Sequence, residues 1–184
     1  MSELREVYES LVKNPSDINE HLPTLEGYAE ECDHVTEMGV RWACSTWAFL
    51  YAGPKVLVSY DIEDPVRWGV DTNRMREMAA IIGVDFRFVR ANVLETEMEE
   101  TDFLFLDTWH VYHQVKEELR LHASKVKKYI AFHDTVSFGV VGESHGHEGI
   151  NRAISEFLTE NSEWKVEREF LNNNGLLVVK RMQS

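Results

Sequence analysis

Asp102-Phe103-Leu104-Phe105-Leu106-Asp107-Thr108-Trp109-His110 and Tyr129-Ile130-Ala131-Phe132-His133-Asp134-Thr135 are the two stretches that decide how this chain folds. Each is a short apolar run that breaks abruptly into acid and imidazole. Runs of this length and composition read as buried strands. A buried strand that ends in Asp and His carries polar groups to one edge of a sheet, and open α/β sheets bind ligands at the carboxyl ends of their strands. Two such strands side by side make a candidate metal or acid–base site.

The same rhythm extends outward from them. Strands are expected at His34–Met38, Lys55–Asp61 and Asp85–Val89, and helices near 43–52, 65–82, 111–126 and 150–161, with a short helical turn near 94–98. Two helices precede this alternation. The first has Leu4, Val7, Tyr8 and Leu11 at helical spacing; the second has Leu22, Leu25, Tyr28 and Ala29. Residues 1–32 thus form an N-terminal helical cap within one domain spanning 1–184. At the other end, strands at Trp164–Leu171 and Leu176–Lys180 are joined by Asn172-Asn173-Asn174-Gly175, a turn signal that implies an antiparallel hairpin. Alternating strands and helices closed by a hairpin predict an α/β fold, with a doubly wound, mostly parallel, seven-stranded sheet.

Composition narrows the function classes. The 184 residues suit one domain, with 43% apolar and 28% charged residues. A net charge of −13 argues against a nucleic-acid surface, which needs clustered Lys and Arg. No apolar stretch approaches a membrane span and the N-terminus has no signal-peptide core. With only Cys32 and Cys44 present, a cytoplasmic protein with reduced thiols is expected. Oligomeric state stays open, a homodimer included.

Further residues gather at the predicted strand ends. Gly39, after the first strand, lets the backbone approach a ligand closely. Ser45 and Thr46 lie in the following helical turn, where free N–H groups favour an anionic group. Asp61 ends the second strand, where an acid suits ribose hydroxyls. Asn92, past the third strand, is placed to read a base edge. The set Glu37-x-Gly39, Asp61, Asp107 and the closing hairpin resembles the class I S-adenosylmethionine-dependent methyltransferases over nearly the whole chain. The resemblance implies S-adenosylmethionine as cofactor, with the methionine part at the Gly39 loop, the ribose at Asp61 and the adenine near Asn92. Glu37 would support the loop or the methionine amino group. Ala43 stands where that family often has a third glycine.

The two opening stretches resemble a narrower group. Asp107-x-x-His110-x-Tyr112 followed by His133-Asp134 looks like the small-molecule and cephalosporin hydroxylase-like relatives, and is similar to catechol O-methyltransferase. That likeness implies Asp107, His133 and Asp134 as ligands of a divalent metal, His110 as general base and Trp109 as a wall of the acceptor pocket. Magnesium or manganese suits such a site, and one imidazole among two carboxylates also suits iron or zinc. The residues alone leave His133 between ligation and a bond to a backbone carbonyl, the latter leaving only Asp107 and Asp134 as ligands. The expected function is methyl transfer to an oxygen of a small molecule. A metal-dependent hydroxylase-like enzyme and a non-catalytic cofactor-binding protein are the alternatives.

Overall fold

A computed structural model describes residues 2–182. Six α-helices surround one seven-stranded sheet: α1 (Ser2–Lys13), α2 (Leu22–Glu30), α3 (Cys44–Ala52), α4 (Thr72–Ile82), α5 (Tyr112–His122) and α6 (Asn151–Glu160). The strands are β1 (His34–Met38), β2 (Val56–Asp61), β3 (Asp85–Arg90), β4 (Thr101–Leu106), β5 (Val126–His133), β6 (Trp164–Phe170) and β7 (Leu176–Arg181). Their order is β3-β2-β1-β4-β5-β7-β6. All neighbours are parallel except β7, which runs antiparallel to both β5 and β6. This is the doubly wound sheet with a terminal hairpin that the sequence predicts.

The strand order explains the continuous apolar runs. β4 and β5 sit at the centre, so both of their faces are covered. Successive strand side chains point to opposite faces. Phe103, Phe105, Tyr129 and Ala131 therefore join Phe49, Leu22 and Leu25 beneath α1, α2 and α3. Leu104, Leu106, Ile130 and Phe132 join Val115, Leu119, Ile154 and Phe157 beneath α5 and α6. Each such fully buried side chain contributes about 1.5–3 kcal/mol of transfer free energy. The chain reverses between β1 and β2 on one side and β4 on the other, so the carboxyl ends of β1 and β4 open a crevice.

Three local expectations are corrected. The helix expected over 65–82 is split: Pro65–Trp68 forms a 3₁₀ turn ended by Gly69 at φ 81°, and Asp71 caps α4 by accepting from the Asn73 and Arg74 amides. The stretch 94–98 is not helical. Asn92 directs it into a turn, its Oδ1 accepting from the Leu94 amide and its carbonyl from Thr96 Oγ1. The helix expected to reach residue 126 ends at His122, and Val126 already pairs in β5. The N-terminal helices pack on the same core as Phe49 and Phe103, and only their connection, at Asp17 and Ile18, reaches the crevice. His21 ties that connection to the terminal hairpin, its Nε2 lying 3.0 Å from the carbonyl oxygens of Asn172 and Asn173. Asn173, Asn174 and Gly175 all have positive φ, which is why this turn is built from Asn and Gly. No helix among the described residues is long and apolar enough to cross a membrane.

Candidate active site

A cavity of about 560 Å³ opens at the carboxyl ends of β1, β2, β3, β4 and β5, a size typical of cofactor and small-molecule sites, which run to about 300–1,000 Å³. Gly39, Ser45, Asp61, Asn92, Asp107, His110 and Asp134 line it. Glu37, Thr46 and His133 do not, although each lies on or next to an element that does.

The first loop explains the difference. Glu37 is fully buried, and its carboxylate accepts from three hydroxyls: Ser45 Oγ, Thr46 Oγ1 at 2.7 Å and Ser59 Oγ at 2.6 Å. Burial raises its pKa to about 7 against the pull of those donors. Glu37 thus pins β1, β2 and the start of α3 together from behind the cavity. It braces the loop in this way, and the Ser45 and Thr46 hydroxyls are engaged with it, while Ser45 also lines the cavity. Gly39 has φ 92°, and a Cβ there would meet the carbonyl oxygen of Asp107 at 2.0 Å. The atom that demands glycine belongs to the chain itself. Asp61 Oδ2 accepts from the amides of Val40, at 2.8 Å, and Arg41, at 3.1 Å, and Oδ1 accepts from Glu63 at 2.9 Å. A carboxylate has about four acceptor sites, so Asp61 shapes the loop and keeps capacity for a hydroxyl.

At the other end, β4 and β5 deliver a charge cluster. His110 Nε2 lies 3.1 Å from Asp107 Oδ1 and 3.3 Å from Asp134 Oδ2. Burial disfavours charge on His110, yet its hydrogen bond to Asp107 and the surrounding carboxylates outweigh this and raise its pKa. His133 is buried with both ring nitrogens engaged, Nδ1 3.1 Å from Asp107 Oδ1 and Nε2 3.1 Å from the Asp17 carbonyl oxygen. Burial opposes its charge too, but Asp107 raises its pKa to about 9. Its Nε2, facing a carbonyl oxygen, donates to Asp17. The two rings together hold the Asp107 carboxyl far below the usual carboxylate range, against its burial. Asp134 occupies the left-handed region at φ 60°, a conformation that costs a non-glycine residue on the order of 1 kcal/mol. Its Oδ1 is buried without a partner.

His133 Nε2 is held by the Asp17 carbonyl and its Nδ1 faces Asp107, while the group whose ligand atoms converge takes His110 beside the two carboxylates. Asp107, His110 and Asp134 each offer one ligand atom, and those atoms lie within 4.8 Å of one another. Two carboxylate oxygens and one imidazole nitrogen fit a divalent cation.

Further residues complete the cavity or stand behind it. Glu118 is fully buried in α5, where its Oε1 accepts from Thr108 Oγ1 at 2.6 Å and Gln114 Nε2 at 2.8 Å, and both of those residues line the cavity. The available signal was a glutamate next to the buried helical positions Val115, Leu119 and His122. Arg41 stacks on Trp42, 3.8 Å from the ring centroid, at the cavity rim with Trp68. Glu143, in the loop after β5, lies 3.3 Å from His110 Nδ1.

No family model matches the chain, and no curated protein matches it in sequence. Solved structures do match in shape. The O-methyltransferase TomG from Streptomyces achromogenes, involved in tomaymycin synthesis and solved with S-adenosylmethionine, is 16% identical with a TM-score of 0.68, covering 99% of this chain and 89% of its own. An O-methyltransferase from Bacillus cereus in complex with S-adenosylhomocysteine is 13% identical with a TM-score of 0.67, covering 98% and 91%. The S-adenosylhomocysteine-bound methyltransferase PaMTH1 from Podospora anserina is 13% identical with a TM-score of 0.61, covering 100% and 89%. The chain therefore has the fold of the class I S-adenosylmethionine-dependent methyltransferases.

Proposed function

We propose that this protein is an S-adenosylmethionine-dependent methyltransferase that methylates an oxygen of a small molecule with the help of a divalent metal. The observation that carries this reading is the composition of one cavity. One end holds the Gly39 loop, Asp61 and Asn92, and the other holds Asp107, His110 and Asp134. Bound S-adenosylmethionine supplies a methyl group on an activated sulfonium carbon. What remains for the protein is mainly to hold the acceptor oxygen in line, and positioning of this kind is worth up to about 7–11 kcal/mol.

In this reading Asp61 takes the ribose hydroxyls, the Asn92 amide lies by the base, and the loop braced by Glu37 receives the methionine part. Asp107, His110 and Asp134 hold a divalent cation, which when bound lowers the pKa of a coordinated hydroxyl. Nε2 of His110 cannot hold a metal and a proton at once. His110 is therefore a ligand when metal is present, and the group that takes the acceptor's proton at Nε2 when it is absent. The second role is the weaker, because the surrounding carboxylates favour a His110 that is already protonated. Methyl transfer to hydroxyl acceptors, followed by release of S-adenosylhomocysteine with and without magnesium or manganese, tests the proposal. Turnover abolished by a chelator and restored by the metal supports it. Cofactor binding without transfer to any hydroxyl acceptor, with or without metal, would contradict it.

A further inference from the structure

Glu118 stands outside the metal cluster and behind the cavity wall, fully buried in α5. The Thr108 hydroxyl at 2.6 Å and the Gln114 amide nitrogen at 2.8 Å both donate to its Oε1. Its Oε2 is buried with no partner among the described residues. Burial raises its pKa to about 7, against the pull of Thr108, Gln114 and the charge on His110. Its helix neighbours Val115 and Leu119 belong to the apolar core. A buried carboxylate with one oxygen unpaired is a costly way to fill such a position, where a well-packed apolar side chain is often neutral or stabilising. What the carboxylate supplies and an apolar residue does not is direction.

An ionised carboxylate only accepts hydrogen bonds. It draws the one proton of the Thr108 hydroxyl and the amide nitrogen of Gln114 towards itself. Both residues line the cavity. To a ligand there, Thr108 has only lone pairs left to offer, and Gln114 has its Oε1. The opposite orientation of the Gln114 amide would set Oε1 against the Glu118 carboxylate, acceptor facing acceptor. Gln114, Glu118 and His122 recur every four residues and so share one side of α5. His122 Nε2 lies 2.8 Å from the Val93 carbonyl oxygen, so this side of the helix faces the segment after β3. Asn92 and Val93 of that segment line the same cavity, at the end where the base is placed. Asn92 Oδ1 is engaged by the Leu94 amide at 3.1 Å, which leaves Nδ2 as the group its side chain turns to the base. Those donors suit a ring nitrogen. An exocyclic amino group needs acceptors from another wall.

We propose that Glu118 is a positioning residue that fixes Thr108 Oγ1 and Gln114 Oε1 as a pair of acceptors, and that this pair reads the amino group of the adenine of S-adenosylmethionine. The inference rests on the methyltransferase reading and adds to it the residues that distinguish an aminopurine from an oxopurine.

Titration calorimetry at pH 8, above the Glu118 pKa of about 7, compares S-adenosylhomocysteine with S-inosylhomocysteine, which carries a carbonyl oxygen in place of the amino group. The unaltered protein should bind the adenine compound at least about tenfold tighter, the scale of one lost hydrogen bond. Gln114→Leu removes one acceptor and should cut that ratio several-fold. Glu118→Gln is close to isosteric, but a carboxamide donates as well as accepts, so Gln114 is free to turn over and the ratio should fall towards one. Its melting temperature at pH 8 should equal or exceed the parent's, because a buried charge is gone. A role in packing alone would instead lower stability and leave the ratio intact. Should Glu118→Gln fail to fold, Gln114→Leu, at a half-buried position, carries the test. Equal affinities in the unaltered protein, or a ratio unchanged in Gln114→Leu, would overturn the inference. Failure of the unaltered protein to bind either compound is the separate result that defeats the underlying methyltransferase reading.

Discussion

Gly39→Ala is the substitution whose consequence the structure sets most tightly. The residue has φ 92°, where an L side chain is strained, and the added Cβ would lie 2.0 Å from the Asp107 carbonyl oxygen and 2.5 Å from its carbonyl carbon. Both contacts are far inside van der Waals range, and both atoms are backbone, so no side chain can swing aside. The conformational cost alone is about 1–2 kcal/mol. Relieving the overlap means parting the ends of β1 and β4, where the Asp107 amide donates to the Met38 carbonyl at 2.8 Å. Together these place the loss at about 3–5 kcal/mol. For a chain of this size that is a fall in melting temperature of roughly 6–20 °C. Thermal unfolding followed by circular dichroism measures it, with Gly27→Ala, where an added Cβ meets nothing within 4 Å, as the control. The folded fraction of Gly39→Ala should also bind S-adenosylhomocysteine poorly, because Asp107 and the first loop move together. A variant within about 1 kcal/mol of the parent would refute the claim that the Asp107 backbone, and not a ligand, is what demands glycine here.

Other perturbations test separate parts of the account. Glu37 has a folded pKa of about 7 against an ordinary 4.5, so the folded state binds more protons than the unfolded one between those values. Its contribution to stability is therefore fully present below about pH 4.5, falls as pH rises toward 7, and levels off above; the upper bound of the change is about 3 kcal/mol. Glu37→Gln should flatten that part of the profile in urea unfolding at pH 5 and pH 8, and an unaltered slope would place the titration elsewhere. Asp61→Ala removes the acceptor for the Val40, Arg41 and Glu63 amides; S-adenosylhomocysteine affinity should fall at least tenfold by calorimetry. His110→Ala, which removes a metal ligand in this account, should weaken manganese binding in metal titrations and lower turnover with the metal present. His133→Gln keeps a polar side chain beside Asp107 but removes the charge, so it should destabilise the fold while manganese binding persists; loss of the metal alone would restore His133 as a ligand.

The fold was legible because its central strands are extreme. Phe103–Leu106 and Ile130–Phe132 are apolar on every residue, which only a strand covered on both faces tolerates, and the acids that follow mark where the sheet ends. Asp61 and Gly39 were legible for the same reason. The direction of a polar side chain at a strand end was not. Alternation shows which face Glu37 takes, but not that three hydroxyls converge on it there. His133 Nε2 meets the carbonyl of Asp17, 116 positions away in the chain, and no local pattern announces that contact. Glu118 was missed because it sits in a helix rich in charge, and the Glu143 loop, polar throughout, reads more simply as solvated surface than as part of a site. The break at Gly69 was visible as a glycine, yet the helical periodicity on either side of it masked the break.

The central claim is that the cavity at the carboxyl ends of β1 to β5 takes S-adenosylmethionine. Isothermal titration of S-adenosylhomocysteine into the protein tests it most directly. The account predicts saturable binding of one molecule per chain. Absence of measurable heat across a range of temperatures, with the protein shown to be folded, would contradict it.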